Sequence, residues 1–115
     1  MNYKINVLYP FERELKRLSK KYYSIKKDYA ILLNELYHNP NAGINLGSGI
    51  RKVRMAIGSK GRGKSHGARV ITVTIFVNVE DAEINLLYIY DKSERDNIAI
   101  HEIKALIEEV GLDKL

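Results

Sequence analysis

Arg51-Lys-Val-Arg-Met-Ala-Ile57, Gly58-Ser-Lys-Gly-Arg-Gly-Lys-Ser-His-Gly67 and Arg69-Val-Ile-Thr-Val-Thr-Ile-Phe-Val77 follow one another almost without interruption, and their reading decides the fold. The first alternates at the period of a strand, the second is turn chemistry, and the third is a dense β-branched run. Together they predict an antiparallel hairpin. Side chains alternate across a strand, so Val53, Met55 and Ile57 share one face while Lys52, Arg54 and Ala56 share the other. A register that sets Arg69 opposite Ala56 brings its guanidinium to that second face beside Arg54, and a one-residue slip would send it away. Residues 51–69 hold seven Lys or Arg and no acid. Four of these cations lie on a rigid sheet and three on a glycine-rich flap, an arrangement suited to gripping a phosphodiester backbone. Arg51, Lys60, Arg62, Lys64 and His66 are the candidate RNA-binding side chains around the paired strand cations. The plain alternative is a solvated hairpin whose charges protect a sheet edge from aggregation.

Upstream, Tyr3, Ile5, Val7 and Tyr9 alternate with Lys4, Asn6 and Leu8, which predicts a strand ended by Pro10. Phe11, Leu15, Leu18 and Tyr22 recur at helical spacing, and Ile25, Tyr29, Leu32, Leu33 and Leu36 mark a second helix with Ser24 as its N-cap. These form a helical hairpin. Asn39 to Gly49 reads as turn throughout. Downstream, Glu80-Asp81-Ala82-Glu83 is expected to turn into a third apolar run from Ile84 to Tyr90. Asp96 and Asn97 precede a last helix through Ile100, Ile103, Leu106, Ile107 and Val110, stopped by Gly111. The predicted order is β-α-α-β-β-β-α, an α+β domain with an antiparallel sheet and the helical hairpin packed on one face.

The chain has 115 residues, 45% of them hydrophobic and 29% charged, and no Pro, Gly or Ser-rich linker divides it, so one domain over 1–115 is expected. Cysteine is absent and the three histidines are scattered, which excludes disulfides and thiolate zinc and argues against any metal site. Met1 to Lys16 has no apolar signal core and no apolar run approaches membrane-spanning length, so a soluble cytoplasmic protein is expected. The formal net charge of +5 conceals an asymmetry. Residues 1–75 carry fifteen Lys plus Arg against four acids, and residues 76–115 carry four against ten. A basic region of this kind attracts polyphosphates, and the acidic remainder keeps the protein soluble.

Gly58-Ser-Lys-Gly-Arg-Gly63-Lys64-Ser65 matches the spacing of a nucleotide-binding P-loop. That mechanism needs a helix to start at the Lys-Ser pair so that its amides cradle phosphate, and here the sequence continues into a strand. The match is a decoy.

With Arg51-Lys-Val-Arg54, the Gly-Lys-rich loop, Arg69-Val-Ile71 and Tyr88-Ile-Tyr-Asp-Lys-Ser-Glu-Arg95 in view, the chain resembles the RelE/HigB family. These are toxins of bacterial type II toxin–antitoxin pairs. The resemblance covers nearly the whole chain, and Gly49 to Glu94 is its specific part. It implies a RelE-like fold and an mRNA interferase that enters the ribosomal A site and cuts mRNA through attack by the 2′-hydroxyl, with no metal or nucleotide cofactor. It also implies a cognate antitoxin partner, in assemblies of which a heterotetramer is one form. Carried over, the family's paired basic residues fall on Lys52 and Arg54, its phosphate-binding arginine on Arg69, and its basic residue after the last strand on Lys92, within a Tyr-x-Lys-x-Glu pattern. The RelE prototype's further arginine and tyrosine meet Ser93 and Ile98, so Tyr90 or His66 is left to act as general acid or base. Lys52 is the candidate base, its pKa expected to fall beside Arg51, Arg54 and Arg69. Two other readings stand beside this one: a ParE-like gyrase poison, and a non-catalytic RNA or DNA-binding module.

Overall fold

The longest strand, β5 (Asp81–Asp91), is continuously apolar from Leu86 to Tyr90, where it is covered on both faces. The computed structural model, which describes residues 2–114, places it between β1 (Asn2–Val7) and β4 (Ala68–Phe76). Beyond β4 lie β3 (Ile50–Met55) and β2 (Ile44–Gly47), giving a five-stranded sheet in the order β1-β5-β4-β3-β2. The helices are α1 (Tyr9–Lys21), α2 (Ile25–His38) and α3 (Ile100–Glu109). The protein is therefore a mixed α+β structure of three layers. Met1 and Leu115, the ends of the single domain expected over 1–115, lie outside the described residues.

The two sheet faces bury separate cores. Phe11, Leu18, Ile25, Leu32 and Leu36 of the helical hairpin pack on Val53, Met55, Val70, Ile84, Leu86 and Ile89. On the other face Ile98, Ile103, Leu106 and Ile107 pack on Ile50, Ile71, Val73 and Leu87. Sequence periodicity foresaw the hairpin layer, whereas the α3 layer comes from the structure alone. Among the described residues no helix is long and apolar enough to cross a membrane.

Four expectations are corrected. The sheet is not purely antiparallel, because β1 runs parallel to β5 with Ile5 beside Ile84. A strand's alternation says which face is buried and nothing about which neighbour it joins. The turn-rich stretch 39–49 contains β2, an edge strand paired to β3 through Ile44 and Lys52, with Gly43, Gly47, Ser48 and Gly49 at positive φ around it. The β4–β5 turn falls earlier than expected: Asn78 Oδ1 accepts the N–H groups of Glu80 and Asp81 at 2.8 and 2.9 Å, so Asp81 already begins the strand. Ser24 stands at the N-cap of α2 but makes no capping bond. Its hydroxyl instead donates to Asp28 at 2.7 Å and accepts the Ser59 N–H at 2.8 Å, tying the flap to α2.

Gly67 ends the flap where two strands close. A Cβ there would collide with the Met55 carbonyl oxygen and press on Ala56. Because the obstacle is backbone, Gly67→Ala is expected to cost about 2 kcal/mol, in the range for overpacking. A thermal melt showing wild-type stability would remove that constraint.

Candidate active site

The β3–β4 pairing sets Arg54 opposite Arg69, and the β4–β5 pairing sets Arg69 opposite Tyr90. Opposed side chains in antiparallel strands have Cβ atoms about 5 Å apart, so three strands carry one row Arg54–Arg69–Tyr90. The expected register, Arg69 opposite Ala56, is off by two residues. A shift of two preserves the face, so the predicted neighbourhood of Arg54 and Arg69 survives. Lys52 lies on the same face of β3, one row away and opposite Ile71.

A β-bulge brings Tyr90 into this row. Ile71 pairs with Tyr88 but Thr72 pairs with Leu86, which leaves Leu87 unpaired. Ile84 and Leu86 face the helical hairpin, and regular alternation from Leu86 would turn Tyr90 the same way. The extra residue reverses the alternation. Tyr88 and Tyr90 then face the α3 side, and Asp91 points toward the hairpin.

These residues line a cleft of about 480 Å³ together with Lys64, Lys92, Ile44, Glu35 and Asp96. Arg54 is exposed, and its side chain makes no hydrogen bond or ion pair among the described residues. Lys92 is likewise exposed and uncommitted. Lys52 Nζ donates to Asn97 Oδ1 at 2.8 Å, which holds the amine above the sheet. Arg69 is only 5% exposed, yet no carboxylate meets it. Its guanidinium donates to the flap carbonyls of Lys64 at 3.1 Å and Ser65 at 3.1 Å, and to its own neighbour Ala68 at 3.2 Å. Burial first, and then the charge of Arg54, pull its pKa below the usual arginine value. A buried cation satisfied only by neutral carbonyls retains its attraction for an anion.

No family model matches the chain.

Tyr90 supplies the other unsatisfied group of the cleft. Its ring is 3% exposed, and its hydroxyl is buried with no hydrogen-bond partner. An orphaned buried hydroxyl costs roughly 1–3 kcal/mol, which sets Tyr90 apart as the unsatisfied polar group beside Arg69. Burial raises the phenol pKa, opposed in part by Arg69 and Arg95, so at neutral pH it is a proton donor. Ser93 and Ile98 lie elsewhere: Ser93 bonds Asp91, and Ile98 is buried in the core that α3 covers.

The expected RNA-binding side chains divide. Arg51 lies on the opposite face of β3 from Lys52, and its guanidinium caps the carbonyls of Ala42 at 3.2 Å and Gly43 at 3.5 Å. It does not reach the cleft, because odd and even residues of a strand part company. Lys60 is also committed elsewhere, donating to Asp91 at 2.7 Å and to the His66 carbonyl at 2.9 Å. Lys64 lines the cleft and pairs with Glu35 at 3.0 Å. Arg62 and His66 lie on the outer side of the flap and do not line the cleft. The 3₁₀ turn Lys64–His66 leads straight into β4, so the P-loop spacing has no helix to serve it.

Sequence reasoning missed Glu35, Asp96 and Asn97. Glu35 lies 29 residues from its partner Lys64 and Asn97 lies 45 residues from Lys52, separations that no local pattern signals. Among the described residues no group of three or more His, Asp or Glu is arranged to hold a metal ion.

Proposed function

We propose that this chain is an endoribonuclease of the RelE/HigB kind, an mRNA-cleaving toxin that acts in the ribosomal A site and is held in check by a cognate antitoxin. The observation that carries the reading is the row Arg54–Arg69–Tyr90 with Lys52 beside it, on one face and in one cleft. Three cations meet there with an unpartnered hydroxyl, which suits a phosphorus centre that gains negative charge as it becomes pentavalent. The RelE-like fold belongs to the same proposal and is supported by the helical hairpin on one face of the sheet and the basic β3.

In this mechanism Lys52 takes the proton from the RNA 2′-hydroxyl, and the oxygen attacks the adjacent phosphorus. Arg54 and Arg69 stabilise the charge that develops on the phosphoryl oxygens. The P–O5′ bond breaks, and the leaving oxygen takes the phenolic proton of Tyr90, since an alkoxide is far more basic than a phenolate. Proton return from Lys52 to Tyr90 resets the site. The products are a 2′,3′-cyclic phosphate and a 5′-hydroxyl.

Product analysis tests the reading. RNA programmed on ribosomes should yield 2′,3′-cyclic phosphate ends, and a single 2′-deoxy substitution at the cleaved nucleotide should block the cut. Cleavage of the deoxy substrate, or product carrying 3′-hydroxyl ends, would overturn it. Supercoiling by gyrase run in parallel separates the ParE-like reading.

A further inference from the structure

The flap does not lie over the cleft as a lid. Lys64 lines the cleft and pairs with Glu35, whereas the next two residues, Ser65 and His66, line a different depression on the far side. The flap is therefore a ridge, fastened to the sheet by the Arg69 bonds to the Lys64 and Ser65 carbonyls. The outer basin, about 640 Å³, is bounded by Lys60, Arg62, Ser65, His66, Lys92 and Ser93. No acid lines it.

Two of these cations are free. Arg62 and Lys92 are exposed and their side chains make no hydrogen bond or ion pair among the described residues. Lys60 forms the closed floor, its amine neutralised by Asp91. His66 is anchored through Nδ1 to the Arg62 carbonyl at 3.3 Å and to Ser65 Oγ at 3.0 Å, with Nε2 left open. Lys92 lines both depressions and so joins them.

We propose that the outer basin is a second phosphate subsite, in which Arg62 and His66 hold the backbone of the same RNA strand one or more nucleotides beyond the phosphate seated in the cleft, the chain crossing the ridge at Lys92. The inference rests on the cleft reading above and extends it. Single-stranded RNA fits better than an acidic polypeptide because the basin is continuous with the cleft through a shared lysine, so a polymer with evenly repeated charge satisfies both. A strand long enough to reach the basin should bind more tightly than one that fills the cleft alone.

The probes are a 2′-O-methyl RNA dinucleotide and a 2′-O-methyl octanucleotide, neither of which can be cut, with binding read by fluorescence anisotropy across a salt series. Arg62→Ala removes a side chain with no partner in the fold. It should weaken the octanucleotide about five- to tenfold and reduce its salt slope by about 0.7, the value for one phosphate contact on a single strand, while leaving the dinucleotide unchanged. Lys92→Ala should weaken both probes. Unchanged octanucleotide binding in Arg62→Ala overturns the proposal, as does equal weakening of the two probes. An Arg62 dependence seen with oligoglutamate but not with RNA overturns it in favour of an acidic protein. Failure of the cleft reading has a different signature: both probes bind and all-ribose RNA gives no cyclic phosphate.

Discussion

Arg54→Ala should lower the rate of RNA cleavage about 10²- to 10³-fold with no loss of stability, the effect of deleting one donor aimed at transition-state charge. The Arg54 side chain is exposed and unbonded among the described residues, so its truncation removes nothing that holds the fold. Lys52→Met should reduce cleavage to background. Its one bond, to Asn97, joins exposed groups and contributes little to stability. Arg69 is different, because its guanidinium both faces the cleft and fastens the flap at Lys64 and Ser65. Arg69→Ala should therefore lose activity and melting temperature together. Single-turnover rates paired with thermal melts make the comparison. Wild-type rates in both Arg54→Ala and Lys52→Met would remove the cleft from the chemistry. Weaker binding in those variants, with wild-type protein forming no product, would leave a non-catalytic nucleic-acid module.

Asp91→Ala should cost about 3–5 kcal/mol, the range for removing one partner of a buried ion pair. Asp91 is fully buried, and Lys60 is 14% exposed against it. The carboxylate accepts from Tyr22 Oη at 2.6 Å, Lys60 Nζ at 2.7 Å, and the Ser93 hydroxyl and N–H at 2.8 and 2.9 Å. One side chain thus ties the end of α1, the flap and the end of β5. Its deletion would leave the partly buried Lys60 ammonium and Tyr22 hydroxyl without their carboxylate. Stability of a domain this size is about 5–15 kcal/mol, so the melting temperature should drop by roughly 15 °C or more.

The same carboxylate predicts an acid limb. Burial by itself pushes the Asp91 carboxyl up, but the hydrogen bonds from Lys60, Tyr22 and Ser93 outweigh it and hold the pKa far below the usual carboxylate range. A folded pKa below the unfolded value of about 3.9 stabilises the native state in full above that value, and the contribution drains away as the pH falls below it. Wild-type melting temperature should therefore fall steeply below about pH 4, and Asp91→Asn should flatten that slope. Equal slopes in the two proteins would assign the acid limb to other groups.

Much of the fold was legible in the sequence. Helical stripes at Phe11, Leu18, Ile25, Leu32 and Leu36 announced the hairpin that the structure packs on one sheet face. Alternation in Arg51–Ile57 announced that Lys52 and Arg54 share a side. The candidate site was legible in part, since charge counting identifies cations without telling which are free. Arg51 and Lys60 have the same composition signal as Arg54 and Lys92. Only the former pair meets internal acceptors, at Ala42 and Gly43 for one and at Asp91 for the other.

The sequence by itself determined which side chains share a face of β3, because the two-residue period is a local property of the backbone and survives a register error of two. Tertiary structure decided what depends on distant partners: the parallel seat of β1 beside β5, the edge strand at Ile44, and the bulge at Leu87. Nothing in Leu86-Leu-Tyr-Ile-Tyr90 marks which residue will go unpaired. That unpaired residue turns Tyr90 into the cleft and Asp91 toward Lys60, because inserting one position into a two-fold pattern reverses everything after it.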